Sequence, residues 1–185
     1  MTEVSGNHSA AAVIFELVSM NVKEDRTMNE NMVWNLLKAA TPETAKFHEK
    51  TLPYLCEDWW GAYVVPAVPL WRREKARNSP SSFIFNLDLA PLLVVLARNW
   101  RALSGSEDTD YARLNCINQM RTIRNKSAHP DGKAASLPDL IDDLRTILRF
   151  LDLIAADESL IRRAKMAYED AVIQLAATFL KRNAA

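Results

Sequence analysis

The sequence predicts an all-α fold, and three observations carry that prediction. Apolar residues recur at three- to four-residue steps almost throughout, instead of alternating as on a half-buried strand. Glycine is scarce, at 4 of 185 residues. A hydrophobic content of 49% in a chain of this length is enough to bury a core, so one helical domain with appendages is expected.

Charge and cysteine usage narrow the class further. Lys+Arg 23 balances Asp+Glu 23, so no global positive field advertises a nucleic-acid partner and any such contact must be local. Cys56 and Cys116 are distant and form no C-x-x-C pattern, which points away from a disulfide framework or a zinc site and fits a reducing cytoplasm. The segment Met1 to Ser9 lacks the basic start of a signal peptide. Ala62 to Leu70 is too short to span a bilayer and holds Pro66 and Pro69, so no membrane association is expected.

In order along the chain, Ser9 caps a first helix reaching Val22, with Val13, Ile14, Leu17 and Val18 on one face. Lys23 to Thr27 is polar and reads as a linker. A second helix spans Met28 to Ala40 on Met32, Val33, Leu36 and Leu37; Thr41-Pro42 starts a third, which runs to about Leu52 before Pro53. Glu57 to Val65 is a short helix whose Trp59, Trp60 and Tyr63 are expected to pack into the core, with a base-stacking platform as the lesser alternative. Trp71 to Ser82 reads as a basic, turn-rich loop in which Arg72, Arg73, Lys75 and Arg77 oppose only Glu74. It is either a solvated connector or a flap that contacts phosphates.

Asp88 caps the next helix, with Pro91 tolerated in the first turn and Leu89, Leu92, Leu96, Trp100 and Leu103 on one face. Gly105 stops it, Asp110 caps the helix that follows, and the two form an antiparallel hairpin. Asp131-Gly132-Lys133 turns the chain. Ser136-Leu137-Pro138-Asp139 then starts a helix lined by Leu140, Ile141, Leu144, Ile147, Leu148, Leu151 and Ile154. Asp142, Asp143 and Asp152 read as its solvated face and not as a metal site, since no histidine or glutamate is spaced to complete one. A last helix, about Asp157 to Arg182, carries a small-residue stripe of Leu160, Ala164, Ala167, Ala171, Leu175 and Phe179, suited to close contact with another element or chain. The expected division is 1–27, an N-terminal helix and linker; 28–156, the main helical domain; and 157–185, the C-terminal helix.

The chemistry concentrates at Met120 to Pro130, where a helix ends in Arg124, Asn125 and His129. A residue before proline is pushed out of the α region, so His129 falls at the helix end. On an uninterrupted helix Arg124 and His129 would point about 140° apart, and the break frees the imidazole to swing back toward the guanidinium. The C-terminal carbonyls favour an imidazolium there, and the guanidinium offers a planar fork for phosphate. The same residues also suit a plain helix C-cap followed by a solvated histidine.

Arg124-Asn125-Lys126-Ser127-Ala128-His129 resembles the R-x(4–6)-H motif of the HEPN superfamily. The surroundings are similar to its Swt-type branch, in which a helix ending in a tryptophan such as Trp100 precedes the motif helix and an Asp-Trp-Trp like Asp58-Trp59-Trp60 occurs earlier. The resemblance covers roughly Met28 to Ala155. It departs at Ser127, where that branch more often has an aromatic, and at the final helix. It implies a HEPN-like helical bundle and a metal-independent endoribonuclease without cofactors, in which two protomers join their motifs in one cleft. His129 would then be the general base or acid, Arg124 would stabilise phosphoryl charge and Asn125 would orient a partner. Arg121, Lys126, Lys133 and the basic segment Arg72, Arg73, Lys75 and Arg77 are the expected RNA contacts. Two other readings stand beside it: a non-catalytic dimerisation or docking module, and a toxin-type ribonuclease held silent by an inhibitory protein.

Overall fold

A computed structural model describes residues 10–105, 110–129 and 136–183, with side chains described over 31–105, 110–129 and 136–180. The protein is an all-α bundle; the described residues are mostly helical and include no strand. Its helices are α1 (Ala10–Thr51), α2 (Leu70–Arg77), α3 (Leu89–Ser104), α4 (Tyr111–Ala128), α5 (Leu137–Leu153) and α6 (Glu158–Asn183). The expected Ser9 cap, the apolar face of Val13 to Val18, the Asp131–Lys133 turn and residues 106–109 between α3 and α4 lie outside the described residues or side chains.

Two sequence expectations for the first third of the chain are overturned. The linker at Lys23 to Thr27 and the break at Thr41-Pro42 are absent, because one helix of 42 residues runs through both. Burial explains the continuity at the proline. Leu36, Leu37, Ala40, Thr44, Ala45 and His48 are all buried on both sides of Pro42, so ending the helix there would expose an apolar face. Hydroxyls reinforce the turn, with Thr41 Oγ1 donating to the Leu37 carbonyl at 3.0 Å and Thr44 Oγ1 to the Ala40 carbonyl at 2.8 Å. The helix does stop before Pro53, as expected.

The third correction is the supposed basic loop, which folds as α2. Its eight residues include neither glycine nor an internal proline, and Pro69 precedes the first turn. The predicted short helix after Glu57 is a wide π turn, Trp60–Val64, followed by a 3-10 turn, Val65–Ala67. Its aromatics pack as expected, with Trp60 buried and Trp59 and Tyr63 half-buried against it.

From Asp88 onward the helix punctuation follows the sequence. Asp88 accepts the Ala90 amide at 2.8 Å, Gly105 closes α3 with φ 62° in the left-handed region, and Asp110 accepts the Arg113 amide at 3.1 Å. Ser136 and Asp139 form a reciprocal capping box at the start of α5.

α3 divides the interior into two cores. Leu89, Leu93, Leu96 and Trp100 face a large core shared with α1, α4, α5 and α6, including Ile117, Met120, Leu144, Phe150 and Ala164. Leu92 and Val95 face a smaller one under the short turns, with Leu52, Trp60, Val64, Ala76 and Ile84. The stripe of α6 lies against α5 and α1 and buries Leu160, Ala164, Ala167 and Ala171, while Phe179 stays exposed. No described helix is long and apolar enough to cross a membrane.

Candidate active site at the end of the motif helix

The buried residues of α4 are Cys116, Ile117, Met120 and Ile123, a stripe that seats the helix against α3 and α5 and fixes which way its last turn faces. Arg124 follows directly on that stripe and is half-buried, its side chain 19% exposed. Its Nη2 donates to Asp88 Oδ2 at 2.7 Å, and Nη1 reaches Asn125 Oδ1 at 3.4 Å, near the limit for a hydrogen bond. The other carboxylate oxygen of Asp88 holds the α3 cap, so this one side chain fixes a helix start with one oxygen and a guanidinium with the other.

His129 ends α4 with φ −134° and ψ 69°, and its backbone N–H donates to the Asn125 carbonyl at 3.0 Å. Its imidazole lies at the exposed helix end. Among the described residues the hydrogen bonds of the Arg124 guanidinium go to Asp88 and Asn125, not to His129. The two motif residues therefore share one helix end with no hydrogen bond between them among the described residues. What they have in common is the last turn itself: a fixed guanidinium at one end and an exposed imidazole at the other.

The remaining predicted contacts separate into free and committed groups. Arg121 is exposed, its Nη1 3.4 Å from Asn118 Oδ1. Lys126 donates to Asp143 Oδ2 at 3.0 Å, which ties the end of α4 to α5. This corrects Asp143 from solvated face to half-buried partner. Burial pushes its carboxyl above the ordinary range, and the Lys126 ammonium works against that rise. Lys133 lies outside the described residues. On α2, Arg73 is structural: its Nε donates to the Val68 carbonyl at 3.0 Å and its Nη2 to the Pro66 carbonyl at 2.8 Å. Arg72, Lys75 and Arg77 are exposed.

Asp88 is the site residue that sequence reasoning missed. It is legible as a cap, but its second role follows from hairpin register. In an antiparallel α3–α4 pair joined near 105–110, the first residue of α3 lies level with the last turns of α4. Among the described residues no three histidine, cysteine, aspartate or glutamate side chains converge as a metal-binding set. No protein-family model, curated protein or solved structure matches the chain.

Proposed function

We propose that the protein is a HEPN-type, metal-independent endoribonuclease that acts as a homodimer with a composite cleft. The observation that carries this reading is the half-buried Arg124, held by Asp88 and Asn125, one turn from an exposed helix-terminal His129. A guanidinium fixed in advance stabilises charge on a phosphoryl group more effectively than a mobile one, because no reorganisation is needed as charge develops.

In this reading the ribose 2′-hydroxyl attacks the adjacent phosphorus. The 2′-oxygen to phosphorus bond forms, and the bond from phosphorus to the 5′-oxygen breaks. One His129 takes the 2′-hydroxyl proton, and the His129 of the second protomer gives one to the leaving 5′-oxygen. The products are a 2′,3′-cyclic phosphate and a 5′-hydroxyl. Arg124 faces the non-bridging oxygens, and Asp88 acts as a positioning residue that must share the guanidinium with the substrate.

Purified protein is expected to cleave RNA in the presence of a chelator, leave the DNA analogue intact, and lose activity in both His129→Ala and Arg124→Ala. Cleavage that survives His129→Ala would rule out the mechanism. The docking-module reading draws on a different observation, the exposed Val172, Ile173, Phe179 and Leu180 toward the end of α6. Inert wild-type protein, free of any co-purified inhibitor, would favour it.

A further inference from the structure

Of the five tryptophans the fold leaves one outside. Trp60 and Trp100 are buried and Trp34 and Trp59 half-buried, whereas Trp71 on α2 is 76% exposed and its neighbour Leu70 equally so. Fraying does not account for this, because α2 is anchored along its length. Trp60 Nε1 donates to the Ala76 carbonyl at 2.9 Å, Ala76 is fully buried, and Arg73 is tied to the Val68 and Pro66 carbonyls. Arg98 of α3 donates to the same Pro66 carbonyl at 3.1 Å, which locks the turn before α2 to the bundle. A rigid mount therefore holds the indole in solvent.

Its surroundings are cationic. The Arg72 guanidinium lies over the Trp71 ring, 4.4 Å from its centroid, and Lys75 lies over Phe83 at 5.9 Å. With Arg73 committed to backbone carbonyls, Arg72, Lys75 and Arg77 remain available against a single Glu74. An exposed indole with Arg72 against its ring, on a short helix that also carries Lys75 and Arg77, has the two features a single strand requires: a face for a base and charges for the flanking phosphates.

We propose that α2 is a stacking platform for an unpaired base of single-stranded RNA, with Trp71 taking the base and Arg72, Lys75 and Arg77 the adjacent phosphates. This names the substrate class and rests on the ribonuclease reading for its choice of RNA. A duplex keeps its base faces within its own stack, so the platform selects single strands. A lipid surface suits it less well: α2 offers only Leu70 and Trp71 as exposed apolar side chains, and membrane affinity scales with buried apolar area.

The test uses the full chain and a short labelled single strand with 2′-O-methyl ribose, which cannot be cleaved through its 2′-oxygen. The wild type should bind it more tightly than the same sequence in a duplex. Trp71→Ala should weaken binding by about 5- to 150-fold, and Trp71→Phe should restore most of the loss. Replacing Arg72 and Lys75 together with glutamine should lower the salt slope by about 0.7 per phosphate contact removed. Unchanged affinity in Trp71→Ala, or equal binding of strand and duplex, overturns the platform. So does a Trp71→Ala defect confined to pelleting with phosphatidylserine vesicles. Cleavage of unmodified RNA is read separately. A binding defect alongside inert wild-type protein sustains the platform and fails the nuclease, while active protein with unaltered Trp71→Ala binding does the reverse.

Discussion

Asp88 shows how much one side chain decides at the residue scale. Asparagine retains the cap oxygen for the Ala90 amide and loses the charge, whereas alanine loses both. The carboxylate is 60% exposed, so solvent screens the ion pair with Arg124 and its contribution to stability is small. In urea denaturation Asp88→Asn should therefore stay within about 0.5 kcal/mol of wild type, and Asp88→Ala should lose about 1 kcal/mol. An equal loss in both would make the ion pair, not the cap, the stabilising feature.

His48 is the residue whose pH response is set by burial. It is fully buried, and its Nε2 donates to the Leu92 carbonyl at 2.9 Å, bridging α1 and α3. A carbonyl only accepts, so Nδ1 is the unprotonated nitrogen, and it has no partner among the described residues. Burial pulls the imidazole down from the usual 6.5 to about 4. Below pH 6.5 the unfolded chain gains a proton that the folded one refuses, so the stability His48 supplies at neutral pH is lost as pH falls toward 4. The loss is at most roughly 3 kcal/mol, and urea midpoints of wild type against His48→Met across this range should show it as a slope present only in the wild type. Parallel slopes would assign the effect to other groups.

At the scale of the element, the informative case is the proline inside α1. An interior proline removes a helix hydrogen bond and crowds the preceding turn, costing about 3 kcal/mol, partly offset by a stiffer unfolded chain. Pro42→Ala should accordingly raise unfolding stability by roughly 1 to 3 kcal/mol, measured by thermal and urea denaturation. A loss would mean that a bend at Pro42 is needed for α1 to lie along α3. Caps such as Asp110, Gly105 and Ser136 were legible because their signals are local and involve at most four residues. The continuity of α1 through Pro42 was not, since it depends on burial by helices more than forty residues away in sequence. α2 was misread for a related reason: its charge suggested a loop, while the buried Ala76 and the Trp60 tie that settle it as a helix are tertiary. In the candidate site Arg124, Asn125 and His129 were legible as a motif, but the Asp88 and Asp143 partners come from other helices.

The whole molecule bears on the proposed dimer through charge. Two Arg124 side chains meeting across a two-fold axis would repel if bare, but each has its own Asp88 carboxylate at 2.7 Å. The dimer should thus persist in phosphate-free buffer in sedimentation, and Asp88→Asn should make it depend on added phosphate. A strict monomer with full ribonuclease activity would refute the composite cleft.

The double duty of Asp88 also makes the two ends of the hairpin reciprocal. Any anion that draws Arg124 away changes the charge left on the carboxylate whose other oxygen holds the Ala90 amide. By linkage, tightening the first turn of α3 and emptying the motif must influence each other by the same factor. The amide proton of Ala90 is then a built-in reporter. Its exchange with solvent will speed or slow with occupancy of a site it never touches, so the state of the cleft is readable from the backbone without labelling a catalytic side chain.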